Sequence, residues 1–365
     1  VAVEPFAEVS IFDPRRWSLL VMPFARLPRL VLSVGVAALL GSLNVPARAV
    51  TIDWVTVGDP GNDPDTTGSP NPAGAVADAF QIMKFEFTNQ QYTEFLNSVA
   101  ATDTYSLYYA GMGNSNRGGI TQMGVSGAYT YEVRTNMGNK PVNLVDWFAA
   151  ARVSNWLMNG ATGTASTETG AYTLSGSTSG NAPARNPGAT FYVPTEDQWY
   201  KAAYYKGGST NAGYWDYATQ SNTAPRSVSA TSTGIGSSGT TGNFANYNIG
   251  ASWNGTPNGN VTTVGTNGRA SAYGAFDMSG NVGEWNDLTG AADSFRGLRG
   301  GTMLTGSFSL SSSSRSSAND PSGKNVNNGF RLAAPVAVPE PSTYAMALAG
   351  IACGGYSMFR RRNRA

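Results

Sequence analysis

Histidine is absent from all 365 residues, and cysteine occurs once, as Cys353. Without imidazole the chain cannot build a Ser-His-Asp triad, a His-ligated zinc or iron centre, or an imidazole proton relay. A single cysteine excludes an internal disulfide and a dithiol redox pair. Charged residues are also scarce, at 13% of the chain. What remains is 41% apolar and 11% aromatic, enough for a sizeable core, with 44 glycines. That mixture predicts a turn-rich globule, neither a helical bundle nor a disordered chain. The length suits one large domain or two ordinary ones.

The formal net charge of +1 hides an uneven distribution. Residues 1–49 hold five Arg and three acids, and residues 338–365 hold four Arg and one Glu. Removing these nine basic and four acidic residues from totals of 24 and 23 leaves a body near −4. A mildly acidic body argues against nucleic acid as a partner, because phosphate binding needs clustered Lys and Arg.

Both ends read as addresses. Arg26 and Arg29 precede an apolar run from Leu30 to Leu43, and Ala47-Arg48-Ala49 follows. A basic segment, an apolar segment and an A-x-A site describe a secretory signal peptide over residues 1–49, with Met22 a natural start. A short membrane anchor is the competing reading, though the run is short for a span. At the other end, Pro339-Glu340-Pro341 precedes an apolar stretch, 343–359, and Arg360, Arg361 and Arg362 follow at once. Seventeen residues at ~1.5 Å each reach ~25 Å, just enough to cross a bilayer core, and the Arg cluster would hold the far end in the cytoplasm. Residues 338–365 therefore resemble a PEP-CTERM sorting signal. The resemblance implies processing by an exosortase at the inner membrane, with Cys353 confined to the tail and the protein delivered to the cell envelope or extracellular matrix.

Between the ends, 50–337 reads as one domain. Strands are expected over 51–57 and 80–87. Thr88 and Gln91 form a capping box that opens a helix with Tyr92, Phe95, Leu96 and Val99 on one face. A second helix is expected over 145–157, with Val145, Phe148, Ala149, Val153 and Trp156 on one side. A third opens at a second capping box, Thr195 and Gln198, with Trp199, Ala202 and Ala203 inward. The Gly/Ser/Thr-rich stretches 160–190 and 219–243 read as surface insertions. Asp59, Asp63 and Asp65 lie in a turn too rich in proline, and lacking the terminal Glu, for an EF-hand.

Six segments then occur in order: KFEFTNQQYTEFLN (84–97), KPVNLVDWFAAARVSNWL (140–157), FYVPTEDQWYKAAYY (191–205), FDMSGNVGEW (276–285), LRGG (298–301) and NNGFRLAA (327–334). This series resembles the formylglycine-generating enzyme, or sulfatase-modifying factor, family. The resemblance implies an α+β fold related to C-type lectins, with little regular secondary structure and bound calcium. In 277–284, two carboxylates bracket a Gly-containing turn, a pattern of oxygen donors that suits a hard cation. Carried over from the family, the calcium ligands are Asp277, Gly280, Val282 and Glu284, the two middle residues through their carbonyls. A weaker second calcium site is implied at Asn246 and Tyr247, whose downstream acidic ligand is not recognisable.

One departure from the family decides the chemistry expected. Where catalytically active members carry two copper-binding cysteines after R-G-G-S, this chain has Thr302, Thr305, a run of serines and Arg315. Hydroxyls are poor ligands for soft Cu(I) and lack thiol redox chemistry. Neither copper nor His-ligated iron is expected. Thr305, Arg315 and Arg331 are the candidates to line a ligand cleft, although Arg331 also suits a structural pairing with a buried acid. The function expected is an exported, calcium-stabilised, non-catalytic binding or matrix protein with a polysaccharide or peptide ligand. The alternative is an enzyme, either as the family label implies or a hydrolase using acids such as Asp146, Glu196 and Asp197.

Overall fold

The computed structural model describes residues 50–336. The leader 1–49, the Pro339-Glu340-Pro341 motif and the apolar stretch 343–359 lie outside them. No described helix is long and apolar enough to cross a membrane.

In chain order the elements are β1 (Trp54–Val57), β2 (Phe80–Met83), α1 (Asn89–Val99), α2 (Gly111–Asn114), β3 (Ile120–Met123), β4 (Thr130–Val133), α3 (Trp147–Met158), α4 (Glu196–Tyr204), β5 (Arg226–Ser227), β6 (Phe244–Ala245), β7 (Gly283–Asn286), β8 (Arg296–Arg299), β9 (Ser316–Asn319), β10 (Asn328–Gly329) and β11 (Ala333–Pro335). This is a mixed α+β domain with short elements and long connections.

Both capping boxes form. Gln91 N–H donates to Thr88 Oγ1 at 3.3 Å and Thr88 N–H to Gln91 Oε1 at 2.9 Å, so α1 starts where its sequence says. Thr195 and Gln198 repeat the arrangement at α4. The helix expected over 145–157 begins later, at Trp147, because Asp146 is its N-cap and accepts from Ala149 N–H at 2.6 Å. Eleven of its twelve residues are buried, which makes α3 a central strut with Trp147 and Trp156 inside the core.

The strands are shorter than the sequence predicts. β1 starts at Trp54 and not Thr51, and β2 ends at Met83 and not Phe87. After Met83 the chain leaves the ladder so that Glu86 turns inward, fully buried. β2 is the middle strand of three, antiparallel to β1 and to β11, with Ile82 opposite both Val55 and Ala333. The end of the described chain thus seals its beginning, and Phe87 stacks on Phe330 with ring centroids 5.0 Å apart. A second sheet has the order β10-β7-β8-β9, in which Glu284 of β7 faces Arg299 of β8 and Gly329 of β10.

The stretch 160–190 is not the surface insertion its composition suggests. Ala171, Tyr172, Leu174 and Ala182 are buried in the core. Asn155 of α3 holds the stretch down: its Nδ2 donates to the carbonyls of Thr167 (2.8 Å) and Tyr172 (3.0 Å), and its Oδ1 accepts from Tyr172 N–H (2.8 Å). Sparse apolar residues have no period to read, yet a few anchored ones suffice to pack a long loop. The stretch 219–243 stays mostly at the surface, but it contributes β5, which pairs with β6, and the buried Val228.

Candidate functional site

The turn from Asp277 to Glu284 is wound tightly. Asp277, Gly280 and Asn281 have φ of +58°, +89° and +63°, left-handed backbone that only glycine adopts freely and Asn or Asp tolerate. Gly280 has a second reason for its identity. A Cβ there would sit 2.3 Å from the Asn246 carbonyl oxygen. The bare backbone instead lets Asn281 N–H donate to that carbonyl at 2.8 Å, joining the turn to the segment after β6.

Three buried carboxylates surround this turn. Glu284 is gripped by Arg331, with Nε to Oε2 and Nη2 to Oε1 both at 2.6 Å, and accepts from Trp199 Nε1 at 2.7 Å. Asp277 accepts from Gly265 N–H at 2.5 Å and from Asn267 Nδ2 at 2.8 Å. The third is Glu86, which the sequence reading did not single out. It accepts from Asn281 Nδ2 at 2.8 Å and from Val282 N–H at 3.2 Å. Burial, then the charges of Asp277 and Glu284, push the Glu86 carboxyl well above the usual carboxylate range, against the pull of Arg331 and Asn281. Burial raises Asp277 as well, opposed by its hydrogen bonds and by Arg331. The one available signal for Glu86 is a lone acid between two phenylalanines, Phe85 and Phe87.

Three ionised carboxylates with one guanidinium would leave two uncompensated negative charges in the core, an expensive arrangement. Oxygen-only donors with an excess charge of that size fit a divalent hard cation. Among the described residues no three acidic, Cys or His side chains close around one point as a ligand shell. The charge of three ionised carboxylates would suit such a cation, but their geometry is not a closed shell, and each is held by protein donors.

Asn246 is fully buried nearby. Its Nδ2 lies 2.8 Å from Asn260 O, 3.1 Å from Thr262 Oγ1 and 3.1 Å from Asn281 Oδ1, while its own Oδ1 has no partner among the described residues. An amide has two N–H donors, so three oxygens crowd one nitrogen. Tyr247 does not join this cluster: its carbonyl accepts from Ser227 Oγ at 2.6 Å and from Gly250 N–H at 3.1 Å.

The segment after Arg299 forms a separate cleft of about 300 Å³, lined by Thr302, Thr305, Ser309, Ser314, Arg315 and Asn328 among others. Its two predicted lining residues meet there, and the third does not. Arg331 is wholly buried against Glu284 and the carbonyls of Met83 (3.1 Å) and Phe276 (2.8 Å), the structural pairing that its sequence context also suited. Glu196 is buried behind two arginines of the cleft lining, Arg299 and Arg315. Arg315 Nη2 is 2.6 Å and Arg299 Nη2 2.7 Å from its two carboxylate oxygens. Asp197 adds a second negative charge near Arg315, whose Nη1 has no partner among the described residues. Thr305 Oγ1 accepts from Thr302 N–H at 2.9 Å and donates to Thr302 O at 3.2 Å, so its hydroxyl closes a turn. Phe308, beside the cleft-lining Ser309, is 70% exposed.

The acids considered for hydrolysis serve structure. Asp146 caps α3 and pairs with Lys324 at 3.3 Å, Asp197 accepts from Gly74 N–H at 2.8 Å, and Glu196 is neutralised as described. The early aspartates disperse likewise: Asp65 holds Thr67 and Tyr200, and Asp59 holds Tyr273.

A short-element α+β domain closed by its own ends, with a buried carboxylate–arginine centre and a Ser/Thr-lined cleft, is the class of protein defined here. The chain belongs to the sulfatase-modifying factor enzyme 1-like domain family, which it matches over residues 52–336. No curated protein sequence matches it. Among solved structures it is similar to CarF, at 20% identity and a TM-score of 0.45, covering 79% of this chain and 99% of that one. It is also similar to variable protein 1 of Treponema denticola (18% identity, TM-score 0.44, 77% and 94% covered) and to PvdO from Pseudomonas aeruginosa (18%, 0.39, 78% and 92%).

Proposed function

We propose that this protein is an exported, non-catalytic binding protein of the sulfatase-modifying factor family, which holds a peptide or glycan segment in the cleft beside Thr305. The observation that carries the reading is the content of that cleft. Hydroxyls, an amide and one open guanidinium nitrogen line it, the exposed Phe308 is the chain neighbour of its lining residue Ser309, and the chain has no histidine and no cysteine but Cys353. Such a surface can hydrogen-bond and stack on a ligand. It offers no soft-metal ligand and no activated nucleophile.

Calcium is part of the same proposal. Glu86, Asp277 and Glu284, with the carbonyls of Gly280 and Val282, are the residues that would hold it. When bound it would supply charge compensation to the core and no redox chemistry. The resemblance of the tail 338–365 to a sorting signal supports delivery to the cell surface.

The test is retention of the purified full chain on immobilised extracellular polysaccharide and on a cysteine-containing sulfatase peptide, with and without chelator. Retention without conversion of the peptide cysteine supports the reading. Conversion of that cysteine to formylglycine would refute it, as would failure to bind either support.

A further inference from the structure

Lys140 belongs neither to the carboxylate centre around Glu284 nor to the Thr305 cleft. It is buried, at 3% exposure. Its Nζ donates to Thr233 O and to Thr263 Oγ1, both at 2.8 Å, and lies 5.0 Å from the centre of the Trp253 ring. An ammonium has three protons, and the third has no partner among the described residues. No carboxylate acts on it; desolvation alone brings its pKa down to about 8. Buried cations without an acid are costly and need a reason.

The lysine sits in the wall of a cavity of about 310 Å³, where Asn136, Asn139, Thr233 and Ile235 also face. A second cavity of about 360 Å³, holding Phe85, Gln90 and Glu94, shares Asn139 and Thr263 with the first. The two adjoin as a groove at these shared residues, and no residue of either lines the Thr305 cleft. Asn136 and Asn139 are exposed, and neither side-chain amide makes a hydrogen bond among the described residues. Ile235, 45% exposed, and the half-buried Phe85 supply apolar faces. Lys84 lies 5.3 Å from the Phe85 ring centre. The acid in the groove, Glu94, is at the far cavity and accepts from Gln90 at 3.0 Å.

We propose that this groove is a second binding site, specific for a uronate-containing oligosaccharide whose carboxylate pairs with Lys140. A carboxylate there supplies the missing counter-charge. Free planar amides beside small apolar faces match the alternating hydroxyls and C–H faces of a sugar ring better than the side chains of an acidic peptide. The site is independent of the Thr305 cleft.

The experiment is calorimetric titration of the full chain with trigalacturonate, its neutral methyl ester and hexaglutamate at low salt. Trigalacturonate is expected to bind at least tenfold more tightly than either. Lys140→Met should remove that preference. If this variant does not fold, Asn139→Ala, at an exposed and unbonded amide, should weaken binding several-fold. Affinity of the native chain should fall about tenfold per pH unit above pH 8, where the amine loses its proton. Phe308→Ala, at the other cleft, should leave this binding unchanged while reducing retention there, so failure of one site does not imply failure of the other. Equal binding of the ester, equal binding by Lys140→Met, or tighter binding of hexaglutamate would each overturn the proposal.

Discussion

Glu284 and Arg331, forty-seven positions apart, face one another as a buried bidentate pair with both N···O distances at 2.6 Å. The pair ties β7 to the residue just ahead of β11, and so fastens the second sheet to the first. Removing one partner strands a charge in the core, which costs about 3–5 kcal/mol. Glu284→Gln and Arg331→Met are each expected to lose that much stability in urea denaturation. The double variant should cost less than the sum, because the second substitution removes the stranded charge.

The turn below it depends on Gly280. With φ at +89° and the Asn246 carbonyl 2.3 Å from where a Cβ would be, alanine meets both torsional strain and a backbone clash. Gly280→Ala should cost at least about 2 kcal/mol, read as a drop in Tm. An unchanged Tm would mean the turn can relax.

Charge at the centre predicts a response to cations. If a divalent ion compensates Glu86, Asp277 and Glu284, chelator should lower the Tm of the native protein and calcium restore it, with sodium ineffective at equal ionic strength. Glu86→Gln removes one of the negative charges and should shrink the calcium-dependent shift. Equal Tm with calcium and with chelator would sink the calcium reading.

Lys140 gives the pH dependence a definite sign. Its folded pKa of about 8 lies below the ordinary lysine value of 10.5. Between those values the unfolded chain binds more protons than the folded one, so stability rises with pH. Below pH 8 both states are protonated and the burial penalty stands. The buried tyrosines act in the opposite sense above pH 10, so the window is pH 8–10. Subtracting a Lys140→Met curve from the native one should isolate a rising difference there; a flat difference would contradict the desolvation.

Tyr172 tests the stretch its composition disguises. Its hydroxyl donates to Asp287 Oδ2 at 2.6 Å and accepts from Val193 N–H at 3.0 Å, inside the core. Tyr172→Phe leaves both groups short of a partner and should cost about 1–3 kcal/mol. A truly superficial insertion would tolerate the change at no measurable cost.

Much of this was legible in local sequence. Capping boxes announce α1 and α4 to the residue because they are contacts between positions three apart. Strand ends were not legible, since β2 stops where Glu86 turns inward, and its hydrogen-bond partners there, Asn281 and Val282, lie nearly two hundred positions away. The motif series pointed at the turn 277–284 but not at Glu86, whose role exists only when the chain folds back on itself. Arg331 suited both the core and a cleft in sequence; burial against Glu284 decided between them.

The sequence alone determined which chemistry is open to this protein. Side-chain functional groups are fixed by composition, and folding cannot create an imidazole or a second thiol. Only the tertiary structure decided which charges meet: Glu284 with Arg331, Glu196 with Arg299 and Arg315, and Lys140 with no acid at all. Pairing and desolvation depend on through-space distance and on exclusion of water, and neither quantity is written along the chain.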